Sequence, residues 1–168
     1  KGTPKTGDLA LLHDESLDLE AFAEPITHLV QHHWDESGKE KVDLFCDWAE
    51  DQGLPNKWTF VTYYMFVTNP KEELFVKPTE MKAFLEMLDK GDLWHHRPTG
   101  DIYQTIKDDL KAVGEVLPFE VKRGFLDLQS FLWTALGAES DEYAQAKGYL
   151  EKFSEIADNH FAETDFLE

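Results

Sequence analysis

Trp58-Thr59-Phe60-Val61-Thr62-Tyr63-Tyr64-Met65-Phe66-Val67-Thr68 is the stretch on which the fold turns. Ten of its eleven residues are aromatic or β-branched, a composition that favours a strand. A strand over 58–68, a turn at Asn69-Pro70 and a second strand at Leu74–Val76 would make one hairpin within 58–77. Yet the apolar residues do not alternate with polar ones, as they would on a half-buried strand. A helix buried on all sides accounts for the pattern equally well. Periodicity leaves both readings open.

The segments around it are helical by their spacing. Helical spacing begins around Asp18 and holds after Pro25, which fits a first-turn position, with Ile26, Leu29, Val30 and His33 at i, i+3, i+4 and i+7. Val42, Phe45, Cys46 and Ala49 share one face of a helix over 39–52, with Gly53 and Pro55 as its stop. Thr79 opens a helix carrying Met81, Phe84, Leu85 and Leu88 inward, ended by Gly91. Ile102, Ile106, Leu110, Val113 and Leu117 form the stripe of the next, closed by Pro118. Phe125, Leu128, Leu132, Ala135 and Leu136 define another, ending at Gly137. Ser140 opens a last, acidic helix with Tyr143, Ala146, Leu150, Phe153 and Ala157 inward. Residues 1–14, broken by Gly2, Pro4 and Gly7, read as an N-terminal arm, and 15–168 as one domain. No period of 20 to 50 residues repeats, which excludes a solenoid.

The 168 residues fit one domain large enough to bury its own core, with apolar residues at 42% and aromatics at 13%. The formal charge is −18, from 34 acids against 16 bases, and it disfavours a nucleic-acid partner. It is unevenly spread. Residues 7–38 contain eight acids and no Lys or Arg, and 139–168 carry a net −7, so most of the acidity belongs to the two ends. An anionic ligand would have to bind between them. Cys46 is the single cysteine, which suits a reducing compartment and a cytoplasmic location. No apolar run reaches the length of a membrane span. The first residue is Lys1 rather than Met, so natural sequence is expected before it.

Chemistry-bearing motifs are few. There is no Gly-x-Ser-x-Gly elbow and no glycine-rich phosphate loop, and Cys46 sits among apolar neighbours where a thiol is inert. No catalytic residue and no cofactor are expected. His28 and His32, at i and i+4, are the weak metal candidates, with His33, Cys46 and His95-His96 as further ligands, but no His-Glu-x-x-His is present and no metal is expected.

Two stretches are more particular. Phe75-Val76-Lys77-Pro78-Thr79 holds a lysine between an apolar pair and a proline that starts a helix, where it is fixed by its neighbours. Asp127-Leu128-Gln129-Ser130-Phe131-Leu132-Trp133 sets Gln129 and Trp133 at i and i+4, an amide beside an indole that suits a flat ligand such as a base. With Lys57 and Trp58 from the less acidic centre, Lys77, Gln129 and Trp133 are the candidate ligand-binding residues.

Leu11 to Glu20, Trp58 through Pro78 and Leu126 to Trp133 resemble an uncharacterised bacterial family with the signature Phe-x-Lys-Pro followed by Asp-x-Gln-Ser-Phe-x-Trp. Similar segments accompany the AAA-type GTPases of modified-cytosine restriction systems. The chain is also similar to helix-hairpin-helix DNA glycosylases. In that comparison Leu54-Pro55-Asn56-Lys57-Trp58 takes the place of the hairpin turn and Asn69-Pro70 to Lys77-Pro78 the stretch that follows. This resemblance implies that 58–68 is a buried helix and the fold mainly α, a compact bundle of six or seven helices; the alternative is α+β with one hairpin at 58–77. The departures are plain. Asn56 and Lys57 stand where hairpin glycines would be, and Lys77 where the catalytic aspartate would be, so base excision is not implied.

The expectation is therefore a non-enzymatic interaction or recognition domain with a protein partner. The alternatives are a modified-base recognition or processing domain, and an acidic nucleic-acid mimic acting through the two ends.

Overall fold

The computed structural model describes residues 15, 17–31, 38–117, 124–137 and 148. These form a bundle of six helices: α1 (Leu19–Val30), α2 (Gly38–Asp51), α3 (Trp58–Thr68), α4 (Pro78–Met87), α5 (Gly100–Val116) and α6 (Phe125–Gly137). A single 3-10 turn, Gly91–Leu93, lies between α4 and α5. No strand occurs among the described residues. The expected arm over 1–14 and the acidic C-terminal helix lie outside them.

Residues 58–68 are helix, and the hairpin over 58–77 does not form. Trp58, Phe60, Val61, Thr62 and Met65 are buried, while Tyr63 and Val67 face outward. The segment after it, Leu74–Val76, is neither helix nor strand and has no strand partner among the described residues. Its amides are satisfied by side chains instead: Val76 N–H donates to Thr62 Oγ1 at 2.9 Å and Leu74 N–H to the Tyr103 hydroxyl oxygen at 2.9 Å. The Thr62 hydroxyl in turn donates to Trp58 O, one turn back along α3. Two hydroxyls thus do what a neighbouring strand would do for the backbone.

The helix ends follow local chemistry. At the end of α2, Gly53 adopts φ +66°, and Gly53 N–H donates to Glu50 O while Leu54 N–H donates to Ala49 O. This pair of bonds closes the helix, and Leu54 folds back into the core. Helix α4 stops at Met87, before the expected Gly91, because Asp89 takes the left-handed conformation, φ 56°. Its first residue is Pro78, with Lys77 rather than Thr79 at the cap position. Helix α1 starts where the sequence places it, just after Asp18, whose Oδ1 accepts from Glu20 and Ala21 N–H. Pro25 then lies in its interior, where it costs the backbone one hydrogen bond.

The core is built by α2 packed on α5, with α1 and α3 against α2, and α6 against α4 and α5. Gly100 sits where α2 and α5 cross. A Cβ there would collide with the Lys39 carbonyl and the Asp43 carboxylate, and Asp43 Oδ1 accepts from Gly100 N–H at 2.7 Å. Inside the bundle, Lys107 Nζ lies 3.0 Å from Glu73 Oε2, the two side chains only 9% and 8% exposed. The Tyr103 hydroxyl donates to the same carboxylate oxygen at 2.7 Å. Burial, then the charge of Glu73, raise the Tyr103 phenol well above its ordinary value. Gly38 caps this cluster, with no room for a Cβ between Glu73 and the Tyr103 ring.

Candidate recognition groove

An extended chain sends alternate side chains to opposite sides. Between Glu73 and Pro78 the burial alternates in this way, with Leu74 and Val76 fully buried and Phe75 and Lys77 only partly so. The hydroxyl anchors at Thr62 and Tyr103 fix that register. Phe75 then packs edge-on against Tyr63 at 5.8 Å between ring centroids, and against Phe66 at 6.4 Å.

Helix α6 supplies the opposite wall. Phe125, Leu128, Leu132 and Ala135 turn into the core. A second stripe, Leu126, Gln129, Ser130, Trp133 and Thr134, lines an open groove of about 450 Å³ together with Phe66, Phe75 and Lys77. Leu126 and Trp133 are 58% and 50% exposed. Large apolar side chains left in water are informative when they share one patch.

Lys77, far in sequence from Gln129 and Trp133, therefore meets them on one surface. Lys77 Nζ lies 3.5 Å from the centroid of the Trp133 ring, within the range of a cation–π contact. Among the described residues that ammonium makes no ion pair, as Lys41, Lys57, Lys71 and Lys111 make none, while Lys39, Lys82, Lys90, Arg97 and Lys107 are each paired with a carboxylate. Among the described residues the lining contains this one cation and no acid, in a chain where 34 of 168 residues are Asp or Glu.

The structure does not bring Lys57 and Trp58 to this place. Trp58 is 2% exposed, its indole N–H donates to His95 O at 2.9 Å, and its ring stacks on Trp94 at 5.4 Å. It is a core residue. Lys57 is exposed at the start of α3 and forms no side-chain cap. Phe66, Phe75, Leu126, Ser130 and Thr134 are groove residues that motif reading passed over. The signals that locate them are the Leu126–Trp133 spacing of i, i+7 and the alternation in 74–77.

His28 is half-buried and lines a second groove, of about 380 Å³, with Pro25, Leu44 and Trp48. His32 lies outside the described residues. Among the described residues no group of three or more His, Cys, Asp or Glu could hold a metal ion. Cys46 is fully buried, and burial pushes its thiol up to about 12, so the nucleophilic thiolate is suppressed at neutral pH. No described helix is long and apolar enough to cross a membrane. Comparison with family models, curated proteins and solved structures returns no match to this chain.

Proposed function

We propose that this domain is a non-enzymatic recognition module whose ligand face is the groove between Phe75-Val76-Lys77 and α6, and whose ligand is a protein. The observation that carries this reading is the convergence of Lys77, Gln129 and Trp133 on one open surface, with Trp133 half exposed. A half-exposed indole beside an ammonium with no ion pair among the described residues has contact area and charge to offer a partner, and Trp is enriched among the residues that dominate binding energy.

A second reading, base recognition, draws on the placement of Gln129 one turn before Trp133 on the same wall, an amide next to a stacking surface. The single groove cation and the charge of −18 weigh against a polyanion.

The test compares the wild-type chain with Trp133→Ala in isolating bound proteins from cells that make it, and in gel shifts with single-stranded oligonucleotides at low salt. The expected result is a defined protein partner retained by wild type and lost by Trp133→Ala, whose helical circular dichroism is unchanged. Equal capture by both proteins would defeat the protein reading. A salt-sensitive oligonucleotide complex lost with Trp133→Ala would replace it by the second.

A further inference from the structure

Resting on that reading, we infer that the groove receives an amphipathic helix of a partner protein, with an apolar stripe against Phe66, Phe75 and Trp133 and one carboxylate against Lys77. Charge complementarity selects the occupant. Among the described residues the lining presents one ammonium, which stands over a ring face and makes no ion pair, and it presents no acid. The ring draws the cation by its quadrupole but gives the ammonium no oxygen acceptor, so a carboxylate of the ligand supplies a counter-charge that the described residues do not. A basic partner would find no counter-charge in this lining. A nucleic acid would need a row of cations along its backbone, and the groove has one.

Shape selects the helix. The α6 wall is itself a helical stripe, and from Leu126 to Thr134 it runs about 12 Å, two turns and a little more. A helix laid along it presents apolar residues at i, i+3 or i+4, and i+7, matching the rows of side chains on the wall. An extended ligand would gain affinity by adding to a sheet edge, and among the described residues there is no strand to extend. Gln129 adds an amide with no hydrogen-bond partner among the described residues, at the polar margin of the same wall.

The test is a display selection of random 16-residue peptides on the full chain, with winners measured by fluorescence anisotropy. The expected peptides carry the i, i+3/i+4, i+7 apolar pattern and one Asp or Glu. They lose at least tenfold in affinity on Trp133→Ala and on Lys77→Glu, and changing the peptide's acid to Lys restores most of the loss on Lys77→Glu. Absence of enrichment, a proline-rich or basic consensus, or a charge swap without rescue overturns the proposal. If the winners lack the acid or the helical pattern but still depend on Trp133, the recognition groove stands and its assigned occupant falls. If no winner depends on Trp133, both fall. Displacement of the peptides from the groove by a thymidine oligomer overturns the proposal in favour of nucleic acid. A photocrosslinker at position 130 that captures residues 138–168 of its own chain overturns it in favour of an internal occupant.

Discussion

The ammonium of Lys77 stands over the face of the Trp133 ring, 3.5 Å from its centroid, joining the residue before α4 to the outer face of α6. Pro78 keeps Lys77 extended, at φ −94° and ψ 116°, because the α region is disfavoured before proline. The contact is therefore set by backbone geometry on one side and by helix position on the other. In a urea-unfolding double-mutant cycle of Lys77→Ala and Trp133→Ala, a coupling of about 0.5–1 kcal/mol is expected. Zero coupling would show that the ring does not hold the cation.

The Glu73–Lys107 pair makes a different demand on stability. Both groups are buried and share Tyr103 as a third partner. Lys107→Met leaves the Glu73 carboxylate in the core with one donor fewer. A loss of about 3–5 kcal/mol is expected, because an uncompensated buried charge costs more than the pair contributes. The double replacement Glu73→Leu with Lys107→Met is expected to recover part of that loss. A double variant as unstable as the sum of its parts would contradict this view of the pair.

Helices α2 and α5 approach closely only because position 100 lacks a side chain. Gly100→Ala places a methyl group against the Lys39 carbonyl and the Asp43 carboxylate. The expected cost is about 1–3 kcal/mol, read as a lower urea midpoint with an unchanged slope. Gly124→Ala, with open space around the added carbon, is the control.

Alkaline pH should weaken the fold through Cys46. Its thiol titrates near 9 when free and is pushed up to about 12 by burial. Above pH 9 the unfolded chain releases this proton while the folded chain keeps it. Stability is thus fully present below that pH and falls as pH rises from about 9 toward 12. Urea midpoints between pH 8 and 11 should decline less steeply in Cys46→Ala than in wild type. A thiol reagent at pH 8 should modify Cys46 only at the rate at which the fold opens.

The helices around the core were legible because each has one apolar stripe, as with Ile102, Ile106 and Leu110. Residues 58–68 were not, since apolar side chains surround α3 and the deciding fact lies elsewhere: the hydroxyls of Thr62 and Tyr103 satisfy amides that a strand would otherwise claim. Lys77, Gln129 and Trp133 could be picked out because each combines a polar or aromatic group with a position that neighbouring residues constrain. Phe66 and Phe75 could not, because an apolar residue facing a groove reads the same as one facing the core. Trp58 misled for the converse reason. A tryptophan beside Lys57 after a turn resembles a surface residue, yet its ring is stacked on Trp94 and its N–H is bonded inside.

The hydroxyl anchors of the 74–77 segment carry a consequence for how this surface can change. Thr62 and Tyr103 are buried behind the groove's wall and hold it in register, while Phe75, Lys77 and Trp133 line the groove itself. Form and selectivity are thereby written in separate residues. For the proposed recognition function this means that the three lining residues can be exchanged to test selectivity while the hydrogen bonds that hold the wall are kept.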